Sequence, residues 1–242
     1  MKHIGLVGGL SPESTIEYYR IICRGCNRRN GGLEFPAVSI YSMNLAEIAA
    51  LQDKGDWEEV GARIVDALWR LRWSGAEFAA IATNTPHNAL DHILPFSPLP
   101  VLSIMDATAE RIRRDGAKTV GLLGTRQTME YGFFQKAFRA NGIETLLPDE
   151  EGRKFVDSVI WGELVHGIMR KKSRLRFQEI IRGLIREGAE GVILGCTEIP
   201  LLIRPADVPV TLYNTTTIHA NAILAHAMGS KKTQPVAWAG RG

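Results

Sequence analysis

A cysteine flanked by small and polar residues closes an apolar run in Gly191-Val192-Ile193-Leu194-Gly195-Cys196-Thr197-Glu198, a context in which a thiol can move a proton. At the end of a buried strand and the start of the next helix, Cys196 would feel the positive end of the helix dipole, which lowers a thiol pKa. A thiolate held in that state is a competent base towards a carbon-bound proton. A second segment follows the same plan. Glu77-Phe78-Ala79-Ala80-Ile81 runs into Thr83-Asn84-Thr85-Pro86-His87, which sets two hydroxyls, an amide and an imidazole where a helix opens at a proline. Asn84 and the hydroxyls can donate to a substrate carboxylate. A capped loop without a ligand and an inert buried cysteine are the competing readings, and His87 also suits a purely structural hydrogen bond.

The two segments stand in matching surroundings. A glycine-alanine pair precedes each, Gly75-Ala76 and Gly188-Ala189, and Thr83 and Cys196 are 113 residues apart. Ile4-Gly5-Leu6-Val7-Gly8 and Val120-Gly121-Leu122-Leu123-Gly124 echo each other at an offset of 116. Two echoes at nearly one spacing indicate an internal duplication. Equivalent strand ends of a duplicated α/β unit are expected on opposite sides of one cleft, with Thr83 facing Cys196.

The intervening chain alternates strand-like and helix-like runs. Strands are expected at 3–8, 37–43, 77–82, around Val101-Leu102, and at 118–124, 143–147, 191–194 and 208–213. Helices are expected at 14–30, 57–73, from Pro86, and at 128–140, 152–170, 174–187 and 215–228. Strands joined by helix-length connections imply parallel sheets covered by helices, with ligands beyond the carboxyl ends of the strands. The expected fold is therefore α/β with two pseudo-symmetric, flavodoxin-like parallel-sheet lobes and a site between them. The N-terminal lobe is placed at 1–100, joined by a C-terminal helix at 214–229, and the second lobe at 101–213. Residues 230–242 have no periodicity and are expected to be a disordered tail.

Composition removes several function classes. The chain has 242 residues, 45% hydrophobic and 23% charged, with a net charge of +3. That is ordinary for a globular protein, and the charge is too small and dispersed to argue for nucleic acid. No apolar stretch reaches the ~18 residues of a membrane span. Met1-Lys2-His3-Ile4-Gly5 runs straight into a strand and lacks a signal-peptide plan. Three cysteines make no disulfide framework, so a cytoplasmic location with reduced thiols is expected.

Other motifs are weaker. Gly8-Gly9-Leu10-Ser11-Pro12-Glu13-Ser14-Thr15 lacks the spacing of a dinucleotide fingerprint or a nucleotide P-loop. It fits either an anion site of free backbone N–H groups or a helix cap with a tight turn. Cys23-Arg24-Gly25-Cys26 falls inside an expected amphipathic helix, with no second pair to complete a zinc site. The six histidines show no metal-ligand spacing, and no lysine stands in a pyridoxal context. No metal and no cofactor are expected.

The Gly8–Thr15 segment, Thr83-Asn84-Thr85-Pro86-His87, Gly124-Thr125 and Gly195-Cys196-Thr197-Glu198-Ile199 together resemble the aspartate/glutamate racemase family, up to about Met228. The resemblance implies cofactor-independent, cytoplasmic, homodimeric isomerases that act on a small amino acid through two cysteines flanking its α-carbon. Here Thr83 stands where the first cysteine is usual, and Asn214 where an aspartate is common. The resemblance makes Cys196 the principal acid/base and Thr83 the weaker partner, so that the two enantiomers are used unequally. Asn84, Thr85 and Thr197 would bind the α-carboxylate. Ser11, Gln52 and Thr125 are further candidate substrate contacts, Arg126 a candidate for a side-chain carboxylate, and His87, Glu198 and His219 candidates to support the site. Aspartate or glutamate is the expected substrate. A cofactor-independent decarboxylase, another isomerase and a silent carboxylate-binding protein are the alternatives.

Overall fold

The computed structural model describes residues 1–229. They form two compact units, one of Met1–Ala107 with the chain from Thr216 onward, the other of Thr108–Thr215. The expected tail at 230–242 lies outside the described residues.

The first unit contains β1 (Ile4–Gly8), α1 (Pro12–Asn30), β2 (Val38–Ser42), α2 (Leu45–Asp53), α3 (Trp57–Trp73) and β3 (Phe78–Ile81). A 3-10 turn (Thr85–Ala89), α4 (Leu90–Ile93), β4 (Val101–Leu102) and α5 (Ile104–Asp115) follow. The unit boundary falls within α5. The second unit holds β5 (Thr119–Leu123), α6 (Arg126–Glu130), α7 (Phe133–Arg139), β6 (Glu144–Leu146), α8 (Glu150–Gly162), α9 (Lys171–Arg186), β7 (Gly191–Leu194), α10 (Ile199–Leu202) and β8 (Thr211–Asn214). Helix α11 (Thr215–Ala227) ends the described chain.

Each unit has one parallel four-stranded sheet, in the order β2-β1-β3-β4 and β6-β5-β7-β8. The orders are the same under exchange of first and second halves, which is the architecture of a duplication. Both central strands of each sheet are covered on both faces, so β1, β3 and β7 are buried at every residue. Smaller details repeat as well. Glu77 Oε2 accepts from the His3 amide at 2.7 Å, and Glu190 Oε2 from the Lys118 amide at 2.6 Å, each joining the entrances of two neighbouring strands.

Local sequence accounts for the helices that border the sheets. Helix α3 starts at an Asp56 cap, carries Glu58 and Glu59 in its first turn and Arg70 and Arg72 in its last, and buries Val60, Ile64, Leu68 and Leu71 on one face. Ser11 caps α1, which has a proline in its first turn. The core of the first unit is Ile4, Leu6, Tyr18, Ile22 and Phe78 with Ala220, Ile223 and Leu224 of α11.

Several expected boundaries are corrected. The helix expected at 128–140 is two helices, α6 and α7, because Gly132 adopts φ +77 between them. The helix expected at 152–170 ends at Gly162, and a 3-10 turn at Leu164–His166 and Gly167 at φ +72 carry the chain away. The last strand begins at Thr211 rather than 208. Helices α2 and α5 were not foreseen.

Candidate active site

In the first unit, the carboxyl ends of β1 and β3 lie side by side in a parallel pair. After β1 the chain turns through Gly8-Gly9. Gly9 sits at φ +79, and a Cβ there would collide with the Met43 carbonyl oxygen. The Gly9 amide donates to Thr15 Oγ1 at 2.9 Å, and the Ser11 hydroxyl accepts from the Ser14 amide at 3.3 Å. Ser14 Oγ then donates to the Ala82 carbonyl at 2.7 Å, which fastens the start of α1 to the residue before Thr83. Thr83 is partly exposed between buried Ala82 and Asn84. Asn84 Oδ1 is buried without a hydrogen-bond partner among the described residues. An acceptor left so costs about 1–3 kcal/mol until something donates to it. His87, immediately beyond, is 1% exposed.

The second unit repeats this plan at β5 and β7. Thr125 caps α6 through the Thr128 amide at 3.3 Å, and their hydroxyls lie 3.1 Å apart. Thr128 packs against Gly124 and Gly195, where a Cβ would meet its methyl at 2.9 and 3.1 Å. Cys196 follows two residues after the end of β7, as Thr83 follows β3. Its Sγ donates to Glu198 Oε2 at 2.9 Å.

The charge state of that thiol differs from the expectation. Burial, then the Glu198 carboxylate by its charge and by accepting the thiol hydrogen, raises the Cys196 pKa well above its ordinary range. The backbone amides of Glu198 and Thr197 pull the other way and are outweighed. The helix dipole does not win because α10 has four residues and begins only at Ile199. Cys196 therefore rests as a proton-bearing thiol whose hydrogen already points at a carboxylate. No group of three or more His, Cys, Asp or Glu side chains able to hold a metal occurs among the described residues. No described helix is long and apolar enough to cross a membrane.

A sequence model of the Asp/Glu/hydantoin racemase family matches residues 7–223, which include both strand-end turns. The chain belongs to this family. A broad-specificity amino-acid racemase of Bacillus subtilis (strain 168) is 26% identical over 203 residues, covering 81% of this chain and 85% of that protein. Among solved structures, a candidate Asp/Glu racemase from Yersinia pestis is 41% identical, with a TM-score of 0.90 over 94% of this chain and all of that one. An aspartate racemase homologue from Pyrococcus horikoshii OT3 is 36% identical, with a TM-score of 0.83 over 94% of this chain and all of that one.

In this racemase-family chain the candidate residues fall into two groups. Ser11, Thr83, Asn84, Thr85 and His87 cluster at the ends of β1 and β3, and Thr125, Cys196, Thr197 and Glu198 at the ends of β5 and β7. Gln52 is buried on α2, and Arg126 is exposed, its amide donating to Asp157 at 2.8 Å. His219 on α11 is fully buried. Its Nε2 pairs with the Leu102 carbonyl at 2.9 Å and its Nδ1 with the Tyr18 hydroxyl at 2.8 Å, so it braces the core. Ser14, Tyr18 and Thr128 were missed. Ser14 and Thr128 each stand three residues after a cap, a spacing that could have found them.

Cys26 is buried in α1, its thiol donating to the Glu34 carbonyl at 3.3 Å, while Cys23 and Cys26 remain unpaired with each other. That segment is helix packing.

Proposed function

We propose that this chain is a cofactor-independent racemase of acidic amino acids, with Cys196 as its principal acid/base and Thr83 as its partner on the other face of the α-carbon. The observation that carries the reading is the Cys196–Glu198 pair, placed after β7 where Thr83 is placed after β3. Glu198 takes the thiol proton, and the thiolate takes the α-proton. The planar carbanion is then protonated on its opposite face by the Thr83 hydroxyl, whose alkoxide regains a proton from water. Glu198 gives up its proton to the hydroxide so formed, and the starting Cys196–Glu198 pair is restored. The amides of Thr197 and Glu198 stabilise the transient thiolate. Asn84 Nδ2, Thr85 and Thr197 bind the α-carboxylate, and the unpartnered Asn84 Oδ1 suits the substrate ammonium. Ser11, Gln52 and Thr125 complete the substrate contacts, and Arg126 meets a side-chain carboxylate. The aspartate racemase homologue among the similar structures supports an acidic substrate, and we assign the enzyme to the cytoplasm as a homodimer.

A hydroxyl is a far weaker acid than a thiol, so the two faces are unequal. Enantiomers have equal free energy in water, and kcat/KM must therefore be equal in both directions. The asymmetry appears in kcat and KM taken separately. It also appears in exchange, because a proton removed and returned by Cys196 exchanges with solvent without inversion.

Incubation with L- and D-aspartate and L- and D-glutamate in deuterium oxide, read by chiral chromatography and mass, tests the proposal. Inversion with deuterium at the α-carbon supports it. Release of carbon dioxide, or binding without exchange or inversion, would refute it.

A further inference from the structure

We propose that His87 is a positioning residue which, held by the Ile104 amide as its Nδ1–H tautomer, turns its single N–H towards the Thr83 and Asn84 carbonyls and fixes the turn that carries both side chains. This rests on the reading above that Thr83 and Asn84 act on substrate.

The tautomer follows from the hydrogen bonds. The Ile104 amide donates to His87 Nε2 at 3.3 Å. A ring nitrogen that accepts carries no proton, and the ring is neutral because burial pulls its pKa down to about 4. The one proton is therefore on Nδ1. That atom is buried and makes no well-formed hydrogen bond, yet the carbonyls of Asn84 and Thr83 are the backbone groups near enough to favour a proton on the ring. The His87 amide also donates to the Asn84 carbonyl at 3.0 Å.

Why the sequence spends an imidazole here is a matter of helix termini. Ile104 is the first residue of α5, whose opening amides have no partners within the helix. Ser103 Oγ accepts from Met105 and Asp106, which leaves the Ile104 amide for His87. His87 thus bridges the start of α5 to the turn after β3. Ser14 holds that turn from the other side, through Ala82. Thr83 is pinned before and behind, while its own side chain stays accessible.

The neighbouring histidine is set the opposite way. His219 lies 6.1 Å from His87 between ring centroids. Its Nε2 faces the Leu102 carbonyl, which can only accept, so the proton is on Nε2 and the Tyr18 hydroxyl donates to Nδ1. Two buried histidines of one unit should therefore show opposite tautomers.

Long-range proton–nitrogen correlation spectra of the full chain, with single-histidine variants for assignment, read both rings directly. The expected result is Nδ1–H for His87 and Nε2–H for His219. Substitution separates the two ring nitrogens, since the amide nitrogen of Asn stands near Nδ1 and the amide oxygen of Gln near Nε2. His87→Asn should keep the Thr83 and Asn84 amide shifts and most of kcat. His87→Gln keeps the Ile104 contact but should move those shifts and lower kcat by about 10²-fold with little change in KM, the cost of a misplaced reacting group. An Nε2–H signal from His87, or equal behaviour of the Asn and Gln variants, overturns the proposal. If the wild-type chain does not invert any amino acid, the acid/base reading of Thr83 fails, while the tautomer and the amide shifts still decide the role of His87.

Discussion

The Cys196 thiol donates to Glu198 Oε2 at 2.9 Å across a single turn, and the same carboxylate is a cause of the raised thiol pKa. The pair holds one proton in reserve. Glu198→Gln removes the charge, so the thiol should titrate at lower pH and alkylate faster with iodoacetamide at pH 8. Inversion should nevertheless fall by about 10²-fold, as expected for loss of a positioned base. Alkylation that is slower in the variant would contradict the charge argument.

Cys196→Ala should cost at least ~10²-fold in inversion. Thr83→Ala should suppress inversion yet leave α-proton exchange of the one enantiomer whose hydrogen meets the thiol. Thr83→Cys should bring the two kcat values closer together. Initial rates from each enantiomer, with deuterium incorporation, check all three. Near-wild-type inversion by Cys196→Ala would make that residue structural.

Acid stability reports the buried imidazoles. Burial lowers the pKa of His87 from 6.5 to about 4 and of His219 to about 3, the latter also through His87. The unfolded chain then binds more protons, so the stability they contribute is complete above pH 6.5 and is lost as pH falls towards those values. Urea midpoints measured from pH 7.5 to 4.5 should fall, and less steeply in His219→Gln. An unchanged slope in that variant would mean that His219 does not titrate in this way.

Gly9→Ala places a Cβ against the Met43 backbone at a residue with φ +79. Destabilisation of at least about 1–3 kcal/mol is expected from the backbone strain alone. Chemical denaturation should show a lower midpoint with an unchanged slope.

Much of this was legible in the residues. The repeated glycine-alanine and strand-end patterns predicted two like sheets, and the order β2-β1-β3-β4 against β6-β5-β7-β8 agrees with them. Continuous apolar runs such as Gly191–Leu194 are unambiguous because parallel strands are covered on both faces. Helix ends were harder, since the apolar periodicity of the sequence runs on past Gly132, where the backbone turns between α6 and α7, and past Gly162, where α8 ends. The state of Cys196 was misread because a dipole argument needs a helix of some length, and α10 is one turn. The partners of His87 and His219 could not be read at all. Ile104 and Tyr18 are 17 and 201 residues away from them, and nothing local marks a contact made by packing.

Helix α11 supplies Ala220, Ile223 and Leu224 to the core of the first unit, and the Lys2 amide donates to the Ala227 carbonyl at 2.8 Å. The first unit is thus built from both extremes of the described chain, whereas residues 108–215 are continuous. During synthesis the second unit has all of its residues by Thr215, while the first waits with its α11-facing apolar surface uncovered until the last helix emerges. The usual amino-to-carboxyl order of domain completion is reversed. A ribosome-bound chain that ends at Thr215 and is followed by a flexible linker long enough to carry it clear of the exit tunnel should show protease protection of residues 108–215 but not of 1–107.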